Sequence, residues 1–163
     1  MKKRKQNHSL AEKIARAIYD NDLKVIEEEI GADEINLVDR DGRSAIFQAV
    51  LAKSADIASV LVKKGADLNL RDNKGWSPLH CTAQNYLPQI AELLIENGAD
   101  IECKDDNGNT PLWRAAFSSQ GKGEMIKLLL SKGGDRNNEN DSGISPLKLA
   151  NTIANYDVKQ FFE

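Results

Sequence analysis

The chain is ordered by a period. Gly42, Gly75 and Gly108 stand 33 residues apart, and Gly143 follows 35 residues later. Two residues past each glycine begins a tetrad of one design: Ser44-Ala45-Ile46-Phe47, Ser77-Pro78-Leu79-His80, Thr110-Pro111-Leu112-Trp113 and Ser145-Pro146-Leu147-Lys148. A Ser or Thr hydroxyl can cap the orphan N–H groups of a helix, and proline suits the first helical position. In the unit Asp72 to Lys104 an apolar stripe of Leu79, Thr82 and Ala83 follows, then a break at Tyr86-Leu87-Pro88. Ile90, Leu93 and Leu94 make a second stripe at i, i+3, i+4, the spacing of one helical face. Gly65, Gly98 and Gly133 recur where the second helices should stop. Such a unit is too small to bury its own apolar face, so neighbours must cover it.

A turn, two helices and a Ser/Thr-Pro-Leu-His start on a 33-residue period resemble the ankyrin repeat. The resemblance covers about residue 10 to residue 163. It implies an all-α solenoid of about five repeats, with short β-turn fingers between helix pairs. The expected repeats are 9–38, 39–71, 72–104, 105–139 and 140–163, the first and last acting as caps. Residues 1–8 are read as a disordered basic tail. Repeat 72–104 matches best, and 39–71 departs at Ala45 and Phe47, where the pattern has Pro and His. Repeat 105–139 carries two extra residues, placed in a flexible loop over Ser118–Gly123. In the degenerate first repeat, Ser9 and Glu12 form a capping box, and Leu10, Ile14, Ala17 and Ile18 make the buried stripe. Leu23, Val25, Ile26 and Ile30 begin its second helix, and Gly31-Ala32-Asp33 fits either of two registers. Phe161 and Phe162 are expected to cover the open end of the core.

Cysteine usage and hydropathy narrow the setting. Cys81 and Cys103 are the two cysteines, with no C-x-x-C pair, so a disulfide framework is not expected and a reducing cytoplasm fits. No apolar run approaches membrane-spanning length. Basic residues 2–5 are followed by Gln6, Asn7, His8 and Ser9 rather than an apolar stretch, which reads as an uncleaved N-terminus. Taking those four cations from the total charge of −3 leaves −7 on the rest. An acidic body argues against a broad nucleic-acid surface.

Residues able to carry chemistry are few. His80 lies in the helix-start tetrad, and Phe47, Trp113 and Lys148 fill the same slot elsewhere, so no catalytic column runs through it. Cys81 adjoins His80, but adjacent helical residues point about 100° apart. Gly121-Lys122-Gly123 lacks the strand and spacing of a phosphate loop. Asp67, Asp100 and Asp135, with Asn36, Asn69 and Asn137, recur at turn slots where side chains bond backbone. Asp105-Asp106 and the Asp39/Asp41 pair read as isolated turn-tip acids. The chain is therefore expected to be non-enzymatic, with no cofactor and no metal.

What remains is surface. The resemblance implies that fingers and first helices line a concave binding face. The residues expected there are Arg40, Arg43, Arg71, Lys74, Trp76, Gln84, Tyr86, Asp106, Asn109, Trp113 and Phe117. Trp76 shares its slot with Arg43 and Asn109 and is expected to be exposed; Trp113 either fills the inter-repeat seam or joins the face. Cations (Arg40, Arg43, Arg71, Lys74, Lys104) gather on the first three fingers and acids (Asp105, Asp106, Glu139, Asp141) on the last two. The expected partner is another protein, not nucleic acid or membrane, and the chain alone is expected to be a monomer. The segment 145–162 resembles the closing repeat of bacterial ankyrin immunity proteins, which are made beside secreted antibacterial toxins and block them. An acidic body would suit a basic toxin. A scaffold or adaptor for a larger assembly is the other reading.

Overall fold

The helix starts form as their sequence dictates. A computed structural model describes residues 2–31 and 33–163, with side chains from Ser9 onward. Among them are nine α-helices and one 3-10 turn, with no strand beyond a single antiparallel bridge between Val38 and Ser44. Helices α1 (Lys2–Tyr19) and α2 (Leu23–Glu28) form the first pair. Then come α3 (Ala45–Leu51) with α4 (Ala55–Lys63), α5 (Pro78–Asn85) with α6 (Pro88–Glu96), and α7 (Pro111–Ser118) with α8 (Glu124–Ser131). Last are α9 (Pro146–Thr152) and the 3-10 turn Lys159–Phe162.

Ser77, Thr110 and Ser145 each accept the N–H three residues on, with proline at the first helical position. Ser44 occupies the same cap position but makes no such bond. At the far ends Gly65, Gly98 and Gly133 take φ of +82°, +96° and +100°. The residue after each then donates back to the helix: Ala66 to Leu61 O, Ala99 to Leu94 O and Gly134 to Leu129 O. The first pair departs from its reading, because α1 begins at Lys2 and passes through Ser9, so the Ser9–Glu12 pair does not start the helix. The tail at 1–8 thus falls partly within α1; Met1, Ala32 and the side chains of residues 2–8 lie outside the described set.

Two layers result. First helices pack in the order α1, α3, α5, α7, α9, and second helices in the order α2, α4, α6, α8. The core between them runs the length of the stack through Ile26, Ile46, Ile57, Leu61, Leu79, Leu94, Leu112, Ile126 and Leu129, all fully buried. Phe162 and Val158 are buried against it, and Phe161 is half-buried, placed by a 3-10 turn rather than a full helix. The two extra residues lie where expected, since the connection from α7 to α8 runs Ser119–Gly123.

Periodic side chains join each unit to the next. Asn36 Oδ1 accepts from Asp67 N at 2.9 Å, and Asn69 Oδ1 from Asp100 N at 2.8 Å. In the third step Glu102 Oε1 takes the amide's place, accepting from Asp135 N at 2.8 Å. Asp67, Asp100 and Asp135 in turn accept from Asn69, Glu102 and Asn137 N–H. These acids hold loops, as their recurrence implies.

Leu94→Ala should cost about 2–5 kcal/mol, since its side chain is fully buried and the stack cannot collapse into the space. Gly108 has φ +74°, and a Cβ there would stand 2.7 Å from the backbone nitrogen of Asp141. Gly108→Ala should therefore cost at least about 1–2 kcal/mol through both strain and displaced fingers. Urea unfolding of both variants measures the losses; a Gly108→Ala midpoint equal to wild type would contradict the packing of these two fingers.

Candidate functional site

The fingers are built on one side chain each, three residues before the turn glycine. Asp39 Oδ1 accepts the N–H groups of Asp41 and Arg43, and Asp72 Oδ1 those of Lys74 and Trp76, all at 2.9 Å. Asp105 Oδ1 takes Asn107 and Asn109, and Asn140 Oδ1 takes Ser142 and Ile144. Backbone bonds chain the tips together: Asn73 N donates to Asp41 O, Asp106 N to Lys74 O and Asp141 N to Asn107 O. The residue after the glycine is thereby aimed inward at the first helices in three fingers (Arg43, Trp76 and Asn109), while Ile144 in the last stays exposed.

In the fourth unit the spare oxygen does more. Asp105 Oδ2 accepts from Arg114 Nε at 3.0 Å and also from Nη2. The Asp105 side chain is fully buried, and Arg114's is 14% exposed. Burial alone would raise the Asp105 pKa. The Arg114 hydrogen bonds, with N–H donors from Asn107 and Asn109, outweigh it and hold the carboxyl below its ordinary value. Asp105 is thus turned inward, not an isolated turn-tip acid. The slot nine residues on holds Gln48 in the unit of Asp39, where it donates to Asp39 Oδ2.

Arg114 then organises the aromatic residues. Its guanidinium lies 4.5 Å from the Trp76 ring centre and 5.5 Å from that of Trp113. Trp113 stacks on Phe117 with centroids 5.4 Å apart and planes 14° off parallel. Phe117 is 58% exposed. It lines a groove of about 270 Å³ with Leu149, Ile153 and Tyr156. One run of contacts therefore crosses three repeats on the free face of the first helices.

Several expected site residues sit otherwise than the sequence implied. Trp76 is half-buried and packed on the core rather than standing exposed, because its finger aims it inward and Arg114 covers it. Asn109 is 4% exposed, its amide spent on Asp105 and on Asn140. Trp113 is half-buried in the seam yet carries the stacked ring of Phe117. Tyr86 ends α5 in the left-handed region, and its hydroxyl donates to Lys122 O, tethering the inserted loop. Gln84 is half-buried on α5. Arg40 is exposed and pairs with Glu12, Arg43 with Asp41 and Arg71 with Asp106; Lys74 is exposed at its tip. Arg114 and the groove residues Leu149, Ile153 and Tyr156 were not singled out by sequence. The one signal was a cation at the helix slot nine residues beyond a finger aspartate.

His80 is a structural latch. Its Nδ1 accepts the Ser77 N–H at 3.1 Å, so Nε2 carries the proton and donates to Asn109 O at 2.9 Å in the next finger. Cys103, not the adjacent Cys81, approaches the ring, with Sγ 3.6 Å from Nδ1 and 3.1 Å from Ser77 Oγ. Burial pushes the Cys103 thiol up to about 11 and Cys81 up to about 12, so both are protonated and weakly nucleophilic at neutral pH. Among the described residues no group of three His, Cys, Asp or Glu side chains could hold a metal ion, and no helix is long and apolar enough to cross a membrane.

Burial also lowers the His80 pKa from its ordinary 6.5. Well above pH 6.5 the ring is neutral whether folded or unfolded. As pH falls below that value the unfolded chain takes the proton first, so stability drops by up to about 1.4 kcal/mol per pH unit. Melting at pH 5.5 should lie below that at 7.5, and His80→Gln should flatten this slope even while lowering stability at both. Asp105→Asn should cost about 3–5 kcal/mol by leaving Arg114 unpaired among aromatic rings, read by chemical unfolding.

A family model agrees with this geometry. A search of curated proteins finds no match. The family model described as ankyrin repeats (3 copies) matches residues 14–105 and 82–161. With nearly the whole chain so matched, and with capped helix pairs, glycine stops and linked fingers in one register, the chain belongs to the ankyrin-repeat family.

Proposed function

We propose that the chain holds one protein partner on the free face of its first helices, and that this partner is a secreted antibacterial toxin which it neutralises as an immunity protein. Ankyrin repeats are protein–protein interaction modules, generally without enzymatic activity of their own. The observation that carries the binding reading is the run Trp76–Arg114–Trp113–Phe117, fixed from below by buried Asp105. Large rings already held in place lose little side-chain freedom on binding, which is how interface hot spots work. A toxin inhibitor needs one tight, preorganised face and no chemistry. The immunity reading itself rests on the resemblance of the closing segment 145–162, and the groove formed there joins the same face.

The test is to express the reading frame beside this gene in a bacterial host, with and without this chain. Killing by the neighbour alone, and survival when the chain is present, is the expected outcome. A harmless neighbour, or equal killing in both strains, removes the immunity reading and leaves an adaptor. In the pure complex, Phe117→Ala should weaken binding by about 2 kcal/mol with folding intact, measured by calorimetry. An unchanged dissociation constant would move the interface off this face.

A further inference from the structure

Acidic residues are sorted by face in this chain. Residues 42–55, 73–91, 107–123 and 142–156 contain none of its 25 Asp and Glu side chains. Each run holds the inner side of a finger, one first helix (α3, α5, α7 or α9) and the turn after it. The same runs hold Arg43, Lys53, Lys74, Arg114, Lys122 and Lys148. Of the carboxylates that reach this face from outside the runs, Asp105 is buried against Arg114 and Asp39 is bound by Gln48. Asp72 holds the N–H groups of Lys74 and Trp76, and Asp41 and Glu139 are paired with Arg43 and Lys148. Among the described residues Lys53, Lys74 and Lys122 have no carboxylate within ion-pair distance. Lys122 sits in the inserted loop, 6.0 Å from the Tyr86 ring centre and two residues from Gln120, which lines the groove beside Phe117 and Tyr156.

From this sorting we infer that the face docks an acidic segment of the partner, with one large apolar side chain in the groove of Phe117, Leu149, Ile153 and Tyr156, and flanking carboxylates on Lys122 and its neighbouring cations. The inference rests on the reading of this face as the binding face and gives its partner a chemistry. The chain's net negative charge does not oppose it. Most of the chain's carboxylates lie on the second helices and in the connections that lead from them to the fingers, and at the fingers Asp41, Asp106 and Glu139 are paired with Arg43, Arg71 and Lys148. Carboxylates on the second helices stand a helix layer away, about 8–10 Å or roughly one Debye length in physiological salt, so their pull at the face is reduced. A basic segment laid here would meet lysines with no acid to pair with, and like charges brought together select against a partner. The negative total charge, which taken alone suits a basic partner, is therefore a poor guide to what the face accepts.

The test uses the full chain labelled with ¹⁵N and two capped octapeptides. Both carry one tryptophan and one phenylalanine; the remaining residues are glutamate in one and lysine in the other. The glutamate peptide should shift the amides of Phe117, Gln120, Lys122, Leu149 and Ile153, and its binding should weaken several-fold from low to physiological salt. Phe117→Ala should weaken it about tenfold and Lys122→Glu about threefold or more, with unchanged circular dichroism. If the lysine peptide seats in the groove as tightly or more so, the acidic partner is wrong while the binding face stands. If shifts from the glutamate peptide are confined to α6 and α8, the face itself is wrong. No shift from either peptide at millimolar concentration overturns the proposal as well.

Discussion

Contact between successive repeats is what the rest of this structure depends on. A helix pair such as α5 and α6 has one broad apolar side, and Leu79 and Leu94 reach full burial only because α3, α4, α7 and α8 pack on either flank. Stability in such a stack is a sum of unit and interface contributions rather than a property of one central core. The interface is therefore where geometry is set most tightly. Asn36, Asn69 and Glu102 each span to the next unit, and His80 does the same on the finger side through Asn109 O. Hydrophobic stacking supplies the driving force, while these directional bonds fix rotation and rise between units.

That fixed spacing is what makes a surface useful for recognition. Fingers whose tips are chained by backbone bonds keep their inward residues at constant separation, so Trp76 from one unit meets Arg114 from the next. The cluster is assembled across a seam and exists only in the stack. Its buried ion pair is costly to form unless fully bonded. Asp105 meets that condition, with two backbone N–H donors on one oxygen and Arg114 on the other. A guanidinium held this way is available to rings rather than to solvent, and rings held this way present a prepared apolar surface.

Departures from the period mark the face as much as the period marks the fold. The fourth unit has an arginine where the two units before it have Gln48 and Cys81, a phenylalanine where they have Leu51 and Gln84, and two extra residues before α8. These changes fall at one end of the same two helices. The inserted loop is tied back by the Tyr86 hydroxyl, and Tyr156 packs near Gly121, so the extra length shapes a groove wall. The closing unit contributes Leu149 and Ile153 from α9 to that wall.

By itself the sequence determined the repeat period, the later helix starts, the glycine stops, the place of the insertion and the loop-holding role of the recurrent acids. These follow from local rules: a cap hydroxyl, a fixed proline φ, a positive φ that glycine tolerates, and a 3.6-residue stripe. It determined the start of the first helix less well, since a good capping box at Ser9 does not prevent a helix from running through it. The tertiary structure alone decided which polar residues became available. Asn109 and Trp76 share a slot with Arg43, yet one is buried among hydrogen bonds and one lies under a guanidinium. Asp105 and Arg114, or Phe117 and Tyr156, are brought together by helix stacking over separations that no local pattern encodes. The physical reason is that backbone preference acts within a few residues, whereas burial and charge pairing are settled by whichever side chain the neighbouring repeat presents.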